Sequence, residues 1–265
     1  MMIPQLHGKL DQKDRFIFVA CDTDYFLEFG RSIINSIKTN SSYGIHVHLY
    51  NPTQDQINFC SSCDRVSLTY EFAPLDLFKA SADKWATTPI DPIAKHNYDR
   101  IITAMSKSND KSIQERMQRT FFACARFIRF ADLIQPETVA FAIDIDAIVR
   151  KDIPQLSNSY DFYIHHITGK KARFLAGGIF LPGTIQGYNF LQDYKKSLIT
   201  AIEEDNIHWG LDQDVLDGIV PKYNFGNLPM QYIDWNMHPD SYIWTAKGKR
   251  KELEIFINEQ KKYSV

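Results

Sequence analysis

Short apolar runs alternate with amphipathic stretches through the first third of the chain. Arg15 to Cys21 (RFIFVAC) is apolar at successive positions and rich in β-formers, which predicts a buried parallel strand. From Glu28 to Lys38, Phe29, Ile33, Ile34 and Ile37 recur at helical spacing. Ile45 to Tyr50 (IHVHLY) reads as a second strand, closed by Asn51-Pro52. Thr53 to Phe59 follows as helix and Arg65 to Tyr70 as a third strand. Strand and helix thus alternate three times, the signature of βαβ units and an α/β fold with a mostly parallel central sheet flanked by helices. The segment from Ala73 to Ser112 breaks this rhythm with Pro74, Pro89, Pro92 and a polar SKSNDKS tip. Beyond it, Arg116 to Ile134 predicts a long helix whose apolar side carries Phe121, Phe122, Ala125 and Ile128. Val139 to Ile143, Asp161 to His165 and Phe174 to Leu181 read as strands. Tyr188 to Glu204, Leu211 to Ile219 and Lys249 to Lys262 read as helices.

Composition narrows the possibilities without naming a chemistry. The 265 residues are 44% hydrophobic and 23% charged, which places the chain among globular proteins and outside the disordered class. Basic and acidic residues nearly balance, 30 against 32, so there is no general field to attract nucleic acid or anionic membrane. The apolar runs are too short to span a bilayer, and the polar first residues lack the apolar centre of a signal peptide. Four cysteines, Cys21, Cys60, Cys63 and Cys124, suit a reducing compartment, and a cytoplasmic location is expected. The Cys60-Ser-Ser-Cys63 pair lacks a second metal-binding pair, so it is expected to be two thiols at a helix end. His46 and His48 share one face of a strand without a third ligand, and half-buried packing is expected of them.

The sharpest chemical signal is Asp144-Ile145-Asp146, directly after the apolar VAFAI strand. Carboxylates at i and i+2 there sit at the carboxyl edge of a sheet, where α/β proteins bind ligands. Two such groups repel unless they share a cation, and hard oxygen ligands suit Mg²⁺ or Mn²⁺ bridging to a diphosphate. A second acidic cluster, Asp212-Gln213-Asp214, opens a predicted helix and could accept hydrogen bonds from sugar hydroxyls. Ala176-Gly177-Gly178 permits close backbone approach to a ligand. Lys247-Gly248-Lys249-Arg250-Lys251 places cations at the start of the predicted last helix, against its dipole, and an anion such as a diphosphate would explain them. No P-loop, GxGxxG fingerprint, G-x-S-x-G elbow or HExxH motif occurs.

Six short segments in this order resemble the GT-A fold glycosyltransferases, specifically glycosyltransferase family 8, the glycogenin and galactosyltransferase-like group. They are Ala20-Cys21-Asp22-Thr23-Asp24-Tyr25, the Ser32 to Ser36 helix, Cys124-Ala125-Arg126-Phe127, Phe141 to Asp146 with Asp152-Ile153, Phe174-Leu175-Ala176-Gly177, and Asp212-Gln213-Asp214. The resemblance implies one Rossmann-like domain over 1–265, with a nucleotide-binding half at about 15–150, a sugar and acceptor half at about 151–251 and a closing helix at 249–262. It implies transfer of a hexose from a nucleotide sugar, UDP-linked, to an acceptor on a glycan, a lipid-linked sugar or a protein, with retention of configuration and help from Mn²⁺ or Mg²⁺. Asp22 and Tyr25 would contact the base, Ala20 the nucleotide, and Arg126 the donor. Asp144 and Asp146 would hold the metal, Ala176 and Gly177 would line the sugar pocket, and Gly248 and Lys251 would meet the diphosphate. Asp212 would hold donor hydroxyls, with Gln213 beneath the anomeric carbon.

The chain departs from this pattern at Leu175, where the family usually has Asn, and more consequentially near its end. The family closes with His-x-x-Gly-x-x-Lys, whose His is the third protein ligand to the metal, and counting back from Gly248 puts Thr245 there. Threonine is a far weaker ligand than imidazole. His238 is the candidate substitute; otherwise two carboxylates and the diphosphate hold the ion, or the Lys247 to Lys251 cluster takes over part of the neutralisation. The alternatives to a transferase are a nucleotidyltransferase of similar sheet, disfavoured by the absence of a Gly-rich basic loop after the first strand, and a non-catalytic sugar or nucleotide binder. The acceptor is expected to meet Ala73 to Ser112, with Trp85, His96 and Tyr98 as candidate contacts.

Overall fold

The computed structural model describes residues 3–9, 14–80, 113–168, 173–204, 208 and 210–264. Trp85, His96 and Tyr98, and with them most of the expected acceptor segment, lie outside the described residues. The strands are β1 (His7–Lys9), β2 (Arg15–Asp22), β3 (Gly44–Tyr50), β4 (Val66–Glu71), β5 (Val139–Ile143), β6 (Ala147–Val149), β7 (Phe162–Ile167), β8 (Arg173–Pro182), β9 (Phe225–Asn227) and β10 (Ile243–Thr245). The longer helices are α1 (Arg31–Asn40), α2 (Gln54–Ser62), α3 (Ile113–Leu133), α4 (Ile185–Glu203), α5 (Leu211–Ile219) and α6 (Glu254–Lys261). Eight strands form one sheet in the order β1-β4-β3-β2-β5-β8-β7-β9, while β6 and β10 form a separate ribbon. The β4-β3-β2-β5 centre is parallel, as the βαβ rhythm predicts, and β8 runs antiparallel on both sides.

Alternation within the apolar strands explains why the centre needs cover on both faces. In β2, Phe16 and Phe18 join the cluster built on α3, α4 and α5, while Ile17 and Val19 join the cluster built on α1, the ribbon and α6. In β5, Ala140 and Ala142 face the first cluster, and Phe141 and Ile143 the second. Small side chains on one side and large ones on the other let α3 approach the sheet closely. Phe130 of α3 stacks on Phe18 at 5.1 Å and meets Phe16 edge-on at 6.5 Å. Each fully buried ring contributes about 1.5–3 kcal/mol of transfer free energy, so the 13% aromatic content is largely core.

Two expectations change, and the reading of Cys60 and Cys63 as thiols at a helix end holds. His46 and His48 are fully buried rather than half-buried. The His46 ring nitrogens meet Ser67 Oγ and Thr69 Oγ1 at 2.8 Å, and His48 Nδ1 meets Thr69 Oγ1 at 2.9 Å. Cys60 is buried and all four cysteines are free thiols. The basic cluster does not begin the last helix: Gly248–Glu252 forms a separate 3₁₀ turn, and α6 starts afterwards at Glu254, an acid suited to a helix N-terminus. The cations therefore never oppose a helix dipole, and their placement is explained by what they face.

Candidate functional site

A cleft of about 560 Å³ opens at the carboxyl ends of the parallel strands. Its floor comes from β2, through Ala20, Cys21 and Asp22, from Tyr50 at the end of β3, and from Asp144 to Asp146 after β5. One wall is a face of α3, and the opposite wall is the basic turn, through Lys247, Gly248 and Lys251. Asp144 to Asp146 lies here because the chain leaves the sheet at Ile143 and turns directly into β6 of the ribbon. That corner cannot bury its acids in the sheet, so both carboxylates are delivered to the edge. Asp22 stabilises the neighbouring turn, Thr23–Tyr25, by accepting a 2.9 Å hydrogen bond from the Tyr25 N–H. The Tyr25 ring is thereby set on the cleft wall.

Each acid of the Asp144-Asp146 pair has its own cation. Arg126 donates through Nη1 to Asp144 Oδ1, and through Nη2 to the Ala176 carbonyl at 3.2 Å; Asp212 Oδ2 lies 4.0 Å from the same Nη2. Lys251 Nζ reaches Asp146 Oδ2 at 2.8 Å and the Tyr25 hydroxyl at 3.2 Å, and sits 4.3 Å above the Tyr25 ring and 5.0 Å from that of Phe29. Burial raises the Asp146 carboxyl above its usual range, the Asp144 charge adds to this, and Lys251 opposes it. Burial likewise raises Asp212, with Arg126 opposing. For Lys251 burial works against the charge, yet Asp146 outweighs it and the net shift is upward.

The side of the site next to Arg126 and Asp144 is shaped by a bulge in β8. Ile179 pairs with Ile164 and Leu175 with the next residue, His165, so Ala176 to Gly178 stand out of the β7 ladder. The bulge aims the Ala176 carbonyl at Arg126 and brings Gly177 against Asp144, where an added Cβ would sit 3.1 Å from Oδ2. Gln213, at the start of α5, braces the same bulge. With the amide assigned in the orientation that satisfies both of its ends, the nitrogen donates to the Phe174 carbonyl at 3.0 Å and the oxygen accepts from the Ala176 N–H at 2.7 Å. Both ends of the amide are thus engaged by backbone. Asp214 points to the surface and pairs with His208 at 2.8 Å.

His238 is not brought to the acids, a correction to its candidacy as a metal ligand. Its Nδ1 meets Asp234 Oδ2 at 2.9 Å, and its carbonyl lies 3.4 Å from the guanidinium of Arg150, which follows the far end of β6. Burial raises Asp234, but its hydrogen bonds with Ser241, Asn236 and His238 outweigh that and leave the carboxyl below its usual range. Thr245 does stand beside the acids: it pairs with Ala147, and the next N–H, of Ala246, donates to the Asp146 carbonyl at 3.0 Å. Among the described residues no group of three His, Cys, Asp or Glu side chains could hold a metal ion. With both carboxylates engaged and a buried threonine in the third place, the residues present do not complete a centre for the implied Mn²⁺ or Mg²⁺.

Sequence reasoning missed five cleft residues, Tyr50, Arg116, Arg119, Phe122 and Ala123. Four of them extend the α3 face that carries Arg126, since positions 116, 119, 122, 123 and 126 recur at three- and four-residue spacing along one side of a helix. The apolar side of this segment drew attention, but its arginine spacing carried the signal. Tyr50 stacks on Phe122 at 4.3 Å, and its buried hydroxyl has no hydrogen-bond partner among the described residues. The same is true of Arg126 Nε. Buried polar atoms of this kind cost free energy unless water or a ligand satisfies them.

No family model and no curated protein sequence matches the chain. Solved structures do. The apo form of the glycosyltransferase GlyE from Streptococcus pneumoniae TIGR4 is 15% identical with a TM-score of 0.54, covering 96% of this chain and 60% of that one. The galactosyltransferase LgtC, solved with donor and acceptor sugar analogs, is 12% identical with a TM-score of 0.51, covering 94% and 96%. The bifunctional glycosyltransferase WbbM is 14% identical with a TM-score of 0.51; the match covers 98% of this chain but only 50% of WbbM. Together with the strand order and the cleft at the parallel strand ends, these likenesses establish that the chain has the GT-A glycosyltransferase fold.

Proposed function

We propose that the protein is a glycosyltransferase that moves a hexose from a UDP-sugar to an acceptor hydroxyl with retention of configuration. The observation that carries this reading is the division of the cleft. Arg126 and Asp144, braced by Asp212 and the β8 bulge, lie on one side, and a basic turn that brings Lys247 and Lys251 to the cleft lies on the other. The first is suited to hydroxyls, the second to a diphosphate and a base. The solved glycosyltransferases of the same fold support it.

In this reading Tyr25 and Asp22 hold the base, and Lys247, the Gly248 backbone and Lys251 hold the diphosphate. Gly248, at φ +65° with open space where a Cβ would stand, lets the turn present its backbone at the cleft. Arg126 fixes the Asp144 and Asp212 carboxylates as acceptors for sugar hydroxyls, and Gln213 keeps the bulge in register beneath them. The bond from the anomeric carbon to the diphosphate oxygen breaks with its electron pair moving to the phosphate. The acceptor oxygen bonds to the same face of that carbon, and its proton passes to the departing phosphate oxygen. Fixed positive charge around the leaving group is the main contribution the protein makes to the rate.

Nucleoside diphosphate release from a panel of nucleotide sugars tests the reading. Slow hydrolysis of one UDP-sugar without acceptor, lost in Asp144→Asn, is expected. Saturable binding without turnover of any donor, with Mn²⁺ or with chelator, would instead mark the protein as a binder.

A further inference from the structure

Resting on that reading, we propose that the diphosphate is neutralised by fixed protein cations, with Lys251 bridging Asp146 and the phosphates in the place a divalent ion would take. Three observations carry it. First, Lys251 is built in, not merely nearby: its ammonium is held at 2.8 Å by Asp146 and 3.2 Å by the Tyr25 hydroxyl, over two aromatic faces. Its side chain is only 20% exposed, so this geometry is not a solvated surface contact. A metal ion at Asp146 would have to displace it. Second, Asp144 is committed to Arg126, which is itself anchored to the Ala176 carbonyl. The two acids are therefore balanced by two cations, and an added divalent ion would sit close to both, a repulsive arrangement at this degree of burial. Third, the remaining place beside the acids is filled by Thr245, 3% exposed and packed in the ribbon, with no imidazole or carboxylate to complete a ligand set.

The consequence is a donor site with a net positive outer wall. Lys247 stands on the same turn as Lys251, and Arg119 faces the cleft from α3. A diphosphate entering between them exchanges none of its charge partners for an ion from solution. The ammonium of Lys251 keeps one hydrogen on Asp146 and offers another to the phosphates, since it carries three.

Calorimetric titration of UDP into the whole protein, in chelator and again in millimolar Mn²⁺, tests this. The expected result is saturable binding in chelator, with affinities in the two conditions agreeing within about twofold. Lys251→Met is expected to weaken UDP binding at least about tenfold in both conditions, without rescue by Mn²⁺. Thr245→His, which puts an imidazole beside Asp146, is expected to show no Mn²⁺ binding by electron paramagnetic resonance without nucleotide while Lys251 holds Asp146, and to show it only when combined with Lys251→Met; Mn²⁺ binding by Thr245→His alone would overturn the inference. UDP binding by the wild type only when Mn²⁺ is present would overturn the inference while leaving the transferase reading intact. Binding in neither condition would remove both. Should Lys251→Met fail to fold, the wild-type comparison and the Thr245→His resonance still decide the matter.

Discussion

Arg126 concentrates most of the site's chemistry in one side chain. Its planar guanidinium faces Asp144 through one nitrogen and the Ala176 carbonyl and Asp212 through another, a fixed fork that the single nitrogen of an ammonium does not reproduce. Arg126→Lys is therefore expected to keep the charge but lose the bracing, lowering kcat/KM on the preferred donor by about 10- to 100-fold. A circular-dichroism melt within a few degrees of wild type would confirm that the loss is local. Glu71 offers a test away from the cleft. Burial pushes its carboxyl up to about 7, although the Arg129 guanidinium beside it works in the other direction. The folded state then binds a proton that the unfolded state releases above the ordinary value of 4.5, so stability falls as pH rises through that window. In urea melts, wild type should lose stability relative to Glu71→Gln between pH 5 and pH 8; a constant difference would contradict the assignment. Gly178 is set by packing: a Cβ there would stand 1.9 Å from Ile233 Cδ1. Gly178→Ala should cost about 1–3 kcal/mol in the same melts, the range for overpacking a core.

At the scale of elements, helix starts follow local chemistry closely. Thr53 caps α2 in a complete capping box: its Oγ1 accepts from the Gln56 N–H at 3.3 Å, and the Gln56 side chain accepts from the Thr53 N–H at 3.1 Å. Thr53→Ala is expected to lower the unfolding free energy by about 1 kcal/mol, measured by denaturant titration. Segments with a clear apolar run or period were legible as well: the limits predicted for β5 and α5 are those observed. The three-residue strands β6, β9 and β10 were not, because so few residues carry no period. That omission matters for the site. The β6–β10 pairing sets Thr245 beside the acids and sends His238 to the other end of the ribbon, which spacing along the chain cannot reveal. The 3₁₀ turn at Gly248–Glu252 was misread as helix because Leu253, Phe256 and Ile257 continue an apolar side past it.

Across the whole molecule, near-neutral composition conceals a division of charge. Acids at Asp144, Asp146 and Asp212 are set against Arg126 and Lys251, with Lys247 and Arg119 adding positive charge to the walls. The ordered motifs carried the fold and the acids, since those depend on segments close in sequence. The pairing of each acid with its cation was not legible, because it joins residues from α3, the β5–β6 corner and the basic turn. The β8 bulge was visible only as a small-residue run, and its bracing by Gln213 requires α5 to pack against it. A crystal structure of the protein grown with UDP and Mn²⁺ tests these points together. The expected result is uracil between Asp22 and Tyr25, with the diphosphate against Lys247, Gly248 and Lys251 and the Lys251 ammonium still on Asp146. UDP bound outside this cleft, or Mn²⁺ seated between Asp144 and Asp146 with Lys251 displaced, would contradict it.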